Sequence, residues 1–421
     1  GSGGWCGEAV LPCCQKARRQ QSHNDDMHGS DGPLHVQEVR DKRPMDDVFL
    51  NAMNQAGIPS NPDFNGVDQA GCGYYQFTQN NGRRWSTASA YLTPARSRTN
   101  LTIITHAITE RVLFDGTQAT GVEISRRGRK QTIQGAHVIL SGGAVASPQL
   151  LEVSGVGDGE RLRSLGINVV HHAPDVGEHL QDHILCKVVY ATQPEHSINR
   201  EVQGLRLIPA ALRWFFLREG PLTTGSAPVG AFCHTRDGLE APDVQIHFAS
   251  GGTLYNNAGK IRALKQPAVT AVVNQSRPES RGSIHAKSSD IADAPVIAAN
   301  YLSSALDRDT LLRGMRILLN IFDQSELQPY LNGRLSPDIE TDLNDDEALM
   351  AYIRREASTV YHPTSTCCIG KVVDENLRVM GVEGLSVIDA SVMPYVVSGN
   401  TNAATIMLAE KGADHLLAAR R

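Results

Sequence analysis

The residues best suited to chemistry lie near the C-terminus, in the stretches YHPTSTC and VVSGNTNAATIM. His362 stands before a proline, which biases the histidine backbone towards an extended conformation and can hold the ring in one direction. An imidazole titrates near neutral pH, so it can take up or release a proton. A His-Pro pair alone is more often a buried structural histidine. Asn400 stands at the predicted beginning of a helix, where free backbone N–H groups collect.

A predicted strand–turn–helix unit lies upstream of these residues. The run HVIL (137–140) lacks polar alternation, which predicts a strand buried on both faces in a parallel sheet. Gly142 and Gly143 allow a sharp turn that brings the backbone close to a ligand. Ser147 and the following proline fit the N-cap and first position of a helix that Gly155 ends. Together they predict a nucleotide-facing edge of a doubly wound sheet.

The C-terminal part repeats this pattern. GLSVIDASVMP (384–394) predicts a short strand that ends at Asp389. GNTNAATIMLAEKGADHLLA (399–418) predicts a helix that Asn400 or Thr401 caps.

Three further segments complete the predicted architecture. RPMDDVFLNAMNQAG (43–57) has the apolar spacing of a helix closed by its last glycine, and residues 100–114 and 119–140 predict a β-meander. Residues 183–352 mix short strands and helices, which we interpret as a second domain. The chain therefore leaves one domain and returns to it.

Composition excludes several classes of protein. The 421 residues include 41% apolar and 20% charged residues with a formal charge of −5, which is typical of a soluble α/β protein and gives no reason to expect nucleic acid as a partner. The eight cysteines lack zinc-binding spacing, so we expect reduced thiols, an inert Cys367–Cys368 pair and no metal site.

The longest apolar stretch bears on membranes. No run of about 18 apolar residues exists, so we expect no transmembrane segment. LRLIPAALRWFFLREG (205–220) predicts a helix packed on the domain core, with an interfacial anchor as the less favoured alternative. We expect a cytoplasmic protein, with peripheral contact with a membrane as the alternative.

Several long motifs resemble one family. GAVASPQLLEVSGVG (143–157) matches the second signature of the glucose–methanol–choline (GMC) oxidoreductases, and the chain from Tyr361 to Asp414 is similar to that family's C-terminal block. DVGEHLQDH (175–183) and NNGRRWSTASAYL (80–92) resemble its choline-dehydrogenase-like and aliphatic-alcohol-dehydrogenase branch. The resemblance covers nearly the whole chain. It implies an α/β fold with α+β elements: a GMC-type FAD-binding doubly wound domain and an inserted substrate domain on an antiparallel sheet.

The chain departs from the family at its beginning. The family starts with a strand and a GxGxxG turn that holds the FAD pyrophosphate, whereas the opening GSGG has no preceding strand and GVGDGE (155–160) has the wrong spacing. We therefore expect an N-terminally truncated chain, with the βαβ unit either lost or supplied by a partner chain. The resemblance divides the chain into four parts. Residues 1–99 form a cap and substrate-domain segment and residues 100–182 an FAD-binding segment. Residues 183–352 form a substrate-binding domain and residues 353–421 a C-terminal FAD-domain segment.

The resemblance also implies a reaction: FAD-dependent oxidation of a primary alcohol to the aldehyde, by hydride transfer to flavin N5. His362 matches the family's general base and Asn400 its second active-site position, where an amide stabilises the alkoxide. The resemblance also implies the contacts with the cofactor. The backbone of Thr401 and Asn402 faces the flavin, and Asp389 and Ala390 contact the ribityl–pyrophosphate portion. The adenosine end lies near Gly142, Gly143 and Thr109. Electrons then pass to a quinone or dye-like acceptor or to O₂.

Four alternatives stay open at this point. A dehydrogenase is favoured over an oxidase because the resemblance is closest to the choline-dehydrogenase-like branch. A neutral primary alcohol or aldehyde hydrate is expected, since few aromatic residues suggest a cage for choline. The fatty-acid photodecarboxylase branch is disfavoured, because His362 is kept and Ser276 replaces that branch's cysteine. The serious rival is a non-catalytic remnant, or one half of a split enzyme that binds no FAD alone.

Overall fold

The protein combines a large antiparallel sheet, a β-meander and a small parallel sheet. The computed structural model describes residues 4–23, 25–225, 227–255 and 261–419. Its α-helices are α1 Gly7–Ala17, α2 Pro44–Gln55, α3 Thr93–Ala95, α4 Gly143–Val153, α5 Gly159–Ser164, α6 Leu207–Leu217, α7 Ala305–Phe322, α8 Asp346–Glu356 and α9 Thr401–Ala418.

The strands come in chain order from all parts of the sequence. The first half contains β1 Arg18–Gln20, β2 Leu34–Val36, β3 Gly71–Tyr74, β4 Gln79–Asn80, β5 Arg83–Arg84, β6 Ala107–Asp115, β7 Gln118–Arg126, β8 Arg129–Gln134, β9 Val138–Leu140, β10 Val156–Gly157, β11 His171–His172 and β12 Ile184–Thr192. The second half contains β13 Val229–Cys233, β14 Val244–Ala249, β15 Thr253–Tyr255, β16 Ile261–Ala263, β17 Ala268–Gln275, β18 Ser283–His285, β19 Val296–Ala298, β20 Leu331–Ser336, β21 Ser358–Thr359 and β22 Leu385–Val387.

The largest sheet has seven strands, in the order β20-β12-β17-β14-β13-β3, with β21 paired to β12. All its pairings are antiparallel. Helix α7 packs against it through Leu311, Met315 and Leu318, which recur at helical spacing and are fully buried. Phe49 of α2 stacks on Phe248 of β14 with 3.9 Å between ring centroids. The expected antiparallel sheet is thus present, while the division into four segments stays a prediction.

A second core surrounds the short parallel sheet of β9 and β22. Val138 and Leu140 are buried, but Ile139 between them is 47% exposed. The prediction of a strand buried on both faces is therefore wrong at Ile139. The physical reason is that Ile139 lines a cavity on its side of β9 and is not packed into the core there. The meander β6-β7-β8 beside this sheet agrees with the sequence prediction, although β6 begins only at Ala107.

Helix α4 begins at Gly143, earlier than predicted, so Ser147 and Pro148 lie inside it. The hydroxyl of Ser147 accepts a hydrogen bond from the Gly142 N–H at 3.0 Å, which caps the helix from within. Pro148 has no N–H for the carbonyl of Ala144. The Thr366 hydroxyl donates to that carbonyl instead, at 2.8 Å. A residue 222 positions away therefore makes the proline tolerable.

Helix α6 forms where a helix was predicted, but its packing was predicted wrongly. Ala210 is its one buried residue, and Leu212, Phe215 and Phe216 face solvent. The sequence pattern failed here because an apolar run looks the same whether it meets a core or the surface. Among the described residues, no helix combines the length and the apolar character that crossing a bilayer requires.

Candidate functional site

The structure brings His362 and Asn400 together at the beginning of α9. The Asn400 Nδ2 atom lies 3.2 Å from the His362 Nε2 atom, although 38 positions separate the residues. The His362 side chain is largely buried, at 8% exposure, and its backbone N–H donates to Asp182 Oδ1 at 2.9 Å. Asp182 also accepts from Tyr301 and Thr359, so it fixes the His362 backbone.

A second histidine determines which nitrogen of His362 carries the proton. His183 Nε2 lies 3.1 Å from the carbonyl oxygen of Ser276, which can only accept, so Nε2 carries the hydrogen. His183 Nδ1 then accepts, and His362 Nδ1, 3.0 Å away, must donate. His362 Nε2 is left with its lone pair, to which Asn400 donates. The network thus selects the tautomer in which the nitrogen facing Asn400 is basic.

Burial keeps these histidines neutral. Desolvation, with a smaller contribution from the charge of His362, lowers the pKa of His183 to about 3. The same two causes lower the pKa of His247, on β14, to about 4. Desolvation also lowers the pKa of His362, opposed in part by the carboxylate of Asp182. An uncharged imidazole at His362 is the form that can accept a proton near neutral pH.

These shifts make stability depend on pH. The pKa values of His183 and His247 in the folded chain lie below the ordinary 6.5. As pH falls below 6.5, these histidines therefore bind protons in the unfolded chain but stay neutral in the folded chain, which favours unfolding. We expect the free energy of unfolding to fall by roughly 1 kcal/mol per histidine per pH unit from pH 6.5 downwards. Urea denaturation at several pH values measures this, with His247→Phe as a variant of shallower slope. A flat profile between pH 7.5 and 5.5 would contradict the expectation.

A cavity of about 520 Å³ lies at the beginning of α9, and Asn400 and Asn402 form part of its wall. Gln245 and His247 also line it, two positions apart on β14 and hence on one face of that strand. Gln245 Nε2 lies 3.4 Å from Asn400 Oδ1, and Gln245 Oε1 is buried without a hydrogen-bond partner. A polar atom of this kind suits a ligand that donates a hydrogen bond.

An aromatic wall faces the same cavity. It is formed by Phe64, Tyr74, Tyr75, Phe77 and Phe232. The rings of Phe64, Tyr75 and Phe232 contact one another, with centroids 5.1 to 6.4 Å apart. Neither this wall nor a role in the site for His183, Gln245 and His247 was predicted from the sequence. The alternation of polar and apolar residues in the strand VQIHFA could have indicated that Gln245 and His247 share one face of the strand.

The flavin end of the expected FAD fits the residues at α9. The side chain of Asn400 makes no capping hydrogen bond with the helix. Among the described residues, no hydrogen bond from the first N–H groups of α9, which begins at Thr401, is found. These groups can receive an electron-rich edge, as the sequence predicts for Thr401 and Asn402.

Two of the residues predicted for the adenosine end line a second cavity. Thr109 and Gly142 line a mostly apolar cavity of about 690 Å³ together with Ile139. The structure thus brings two of the predicted adenosine contacts together. Gly143 is not among the residues that line this cavity, and its N–H donates to Asp389 Oδ2 at 2.9 Å.

Asp389 is bound by the protein itself. Its Oδ2 also accepts from the Ser147 hydroxyl at 2.6 Å, and its Oδ1 accepts from both the N–H and the hydroxyl of Ser391. The carboxylate therefore ties the end of β22 to the beginning of α4. The backbone of Asp389 and the adjacent Ala390 remain the groups that can contact FAD. With two cavities and a free helix N-terminus, the residues present fit this cofactor.

One group of possible metal ligands lies near the aromatic wall. His23, Asp25 and Asp63 place one ligand atom each within 4.8 Å of one another. The buried His28 lies between the two carboxylates, with Nδ1 2.7 Å from Asp25 and Nε2 3.4 Å from Asp63. The His28 ring therefore lies between the two carboxylates that this group contains. The eight cysteines are all free, and Cys367 and Cys368 are buried.

Comparisons with known proteins agree with this geometry. Residues 1–185 and 278–409 match the two parts of the family described as GMC oxidoreductase. The mitochondrial choline dehydrogenase of Mus musculus is 39% identical over 98% of this chain and 70% of its own length. An oxygen-dependent choline dehydrogenase of Yersinia pseudotuberculosis is also 39% identical, over 98% of this chain and 73% of its own length.

Solved structures resemble the fold throughout. Pyridoxine 4-oxidase from Mesorbium loti superposes with a TM-score of 0.86 at 25% identity, over 99% of this chain and 78% of that chain. A formate oxidase from Aspergillus oryzae gives 0.89 at 20% identity, over 99% and 79%, and so shares the fold. Taken with the motifs and the site, these matches show that the chain belongs to the GMC oxidoreductase family.

Proposed function

We propose that this FAD-dependent oxidoreductase converts a primary alcohol to the aldehyde, with His362 as the general base. The observation that carries the proposal is the contact between Asn400 Nδ2 and the basic Nε2 atom of His362. Bound FAD supplies the acceptor for the hydride that leaves the carbinol carbon. The residues of this chain handle the proton and the charge that remain.

The proton moves to His362. The substrate hydroxyl replaces the Asn400 amide as the donor to the lone pair of His362 Nε2, and its proton passes to that nitrogen. The hydrogen bonds through His183 to Ser276 keep Nε2 unprotonated beforehand. The second N–H of the Asn400 amide is available to the alkoxide oxygen that forms. Loss of one hydride and one proton gives the aldehyde. The buried surroundings strengthen both interactions because little water competes.

The substrate class follows from the cavity wall. None of the described residues that line it is an aspartate or glutamate, and Arg18 is among them. A neutral primary alcohol therefore avoids an unbalanced positive charge. Choline is the second candidate, because the aromatic wall offers ring faces to a quaternary ammonium group and two relatives are named choline dehydrogenases.

Choline and its uncharged isostere 3,3-dimethylbutanol separate these candidates, because they differ only in the charge. We expect kcat/KM for the isostere to equal or exceed that for choline in a dye-linked assay. A preference for choline of more than about tenfold would assign the aromatic wall to cation binding instead. Measuring O₂ consumption beside dye reduction tests the proposal that a quinone or dye-like acceptor, rather than O₂, takes the electrons.

Retention of FAD is the first prediction to test. We expect the purified chain, incubated with excess FAD, to keep the visible flavin absorption through gel filtration. This expectation is supported by the cavities that Asn402 at one end and Thr109 and Gly142 at the other help to line. Asn402→Pro, which removes an N–H group from the first turn of α9, should weaken binding. Thr117→Ala, in the exposed turn between β6 and β7 and outside the lining of both cavities, should not. Complete loss of flavin from the parent chain would favour the alternative, a half-enzyme that needs a partner chain carrying a βαβ unit.

A further inference from the structure

Helix α6 presents a large apolar surface to solvent. The exposed apolar residues of this helix and of the segment just before it are here called the α6 patch. They are Leu205, Leu207, Ile208, Leu212, Phe215, Phe216 and Leu217. Leu205 is 84% exposed and Phe216 is 72% exposed. Contiguous apolar surface of this kind is rare on proteins that contact only water, and it marks an interaction site.

The helix is firmly attached on its other side, so the exposure belongs to a fixed orientation. Ala210 is buried, and the Trp214 Nε1 atom donates to the carbonyl of Gly82 at 3.0 Å. The guanidinium groups of Arg218 and Arg83 lie over the Trp214 ring, at 4.7 and 5.9 Å from its centroid. A helix that is apolar on both its inner and outer faces is buried by a second apolar phase or a partner.

The charges around the patch select the partner. Arg206, Arg213 and Arg218 come from the helix and its ends, and the exposed Arg83 and Arg84 lie on the strand that contacts it. Arg213 is paired with Glu219, at 3.4 Å, which leaves a basic excess in a chain whose formal charge is −5. A twofold contact between two copies would bring these arginines against one another. An anionic lipid surface instead complements both the apolar side chains and the basic rim.

We propose that α6 inserts its outer face into the interfacial region of an anionic phospholipid bilayer and holds the protein there as a peripheral contact. Eleven residues make a helix of about 16 Å, so it lies in the plane of the membrane surface. Phe215 and Phe216 enter the acyl boundary, and the arginines meet the phosphates.

Flotation of the full chain with vesicles tests the proposal without any activity readout. We expect binding to vesicles of equal parts phosphatidylcholine and phosphatidylglycerol, and much weaker binding to phosphatidylcholine alone. The double variant Phe215→Ser with Phe216→Ser should bind the anionic vesicles about a hundredfold more weakly. Arg206→Gln should lose about fivefold on anionic vesicles and little on neutral ones.

The matched control is Ile339→Ser, because Ile339 is 77% exposed and lies outside the patch. It should bind as the parent chain does, and thermal unfolding should show that all variants are folded. Equal flotation of the parent chain and the double variant, or no flotation of either, would overturn the proposal. So would light scattering in which the parent chain is a dimer and the double variant a monomer, since the patch would then join two copies. Vesicle binding can fail while alcohol oxidation persists, so the two proposals are tested separately.

Discussion

His362→Gln is expected to lower kcat/KM for the alcohol by about 10²- to 10⁴-fold while FAD stays bound. Glutamine can still donate a hydrogen bond but cannot accept the proton of the substrate hydroxyl. The loss should therefore fall on kcat as well as kcat/KM, because proton removal is a transition-state event. Stopped-flow reduction of the bound flavin by the alcohol measures this step directly.

Two controls make the His362 experiment decisive. His179→Gln removes a partly exposed histidine that contacts Asp175 through Nε2, so it should leave the rate unchanged. The parent enzyme should also lose activity only when pH falls below the lowered pKa of His362, since protonation there removes the base. A His362→Gln rate within about threefold of the parent would sink the assignment.

Asp389→Ala is expected to destabilise the fold by about 3–5 kcal/mol, which is the second large effect. The substitution removes all four hydrogen bonds of a buried carboxylate and leaves the N–H of Gly143 and the Ser147 hydroxyl without an acceptor. Asp389→Asn should cost about half as much, because one acceptor oxygen remains towards Ser391. Chemical denaturation of the chain measures both values.

The control for Asp389 is an exposed aspartate. Asp237→Ala removes an exposed carboxylate in a turn for which no hydrogen bond or ion pair is found among the described residues, and it should change the free energy of unfolding by less than about 0.5 kcal/mol. If Asp389→Ala unfolds at the denaturant concentration of the parent chain, the proposed tie between β22 and α4 is wrong. The Asp389 side chain already binds Gly143, Ser147 and Ser391, so we do not expect it to contact FAD directly. The fraction of folded Asp389→Ala protein should therefore bind FAD with the affinity of the parent chain.

Local pattern was sufficient for part of the fold. The helices α2 and α9 and the meander β6-β7-β8 were predicted because apolar periodicity and turn glycines act over a few residues. The beginning of α4 was misplaced for a different reason. Its capping and its tolerance of Pro148 depend on Asp389 and Thr366, which no local pattern around residue 143 reveals.

The site was predictable where a motif carries it. His362 and Asn400 came from their resemblance to a known pair, and the structure places their nitrogen atoms in contact. The tautomer of His362 was beyond sequence reasoning, because it depends on a carbonyl of Ser276 acting through His183. Gln245 reaches Asn400 only through the register of β14 in the large sheet.

The hydrogen bonds at the beginning of α4 join residues that are synthesised far apart in time. Ser147 and its acceptor Asp389 are 242 positions apart, so at about 5–20 residues per second a ribosome takes roughly 12–50 s to supply the second after the first. For most of that interval α4 also lacks Thr366, and β9 lacks its parallel partner β22. The FAD-binding residues proposed above therefore cannot all be in place before the segment around Asp389 has left the exit tunnel.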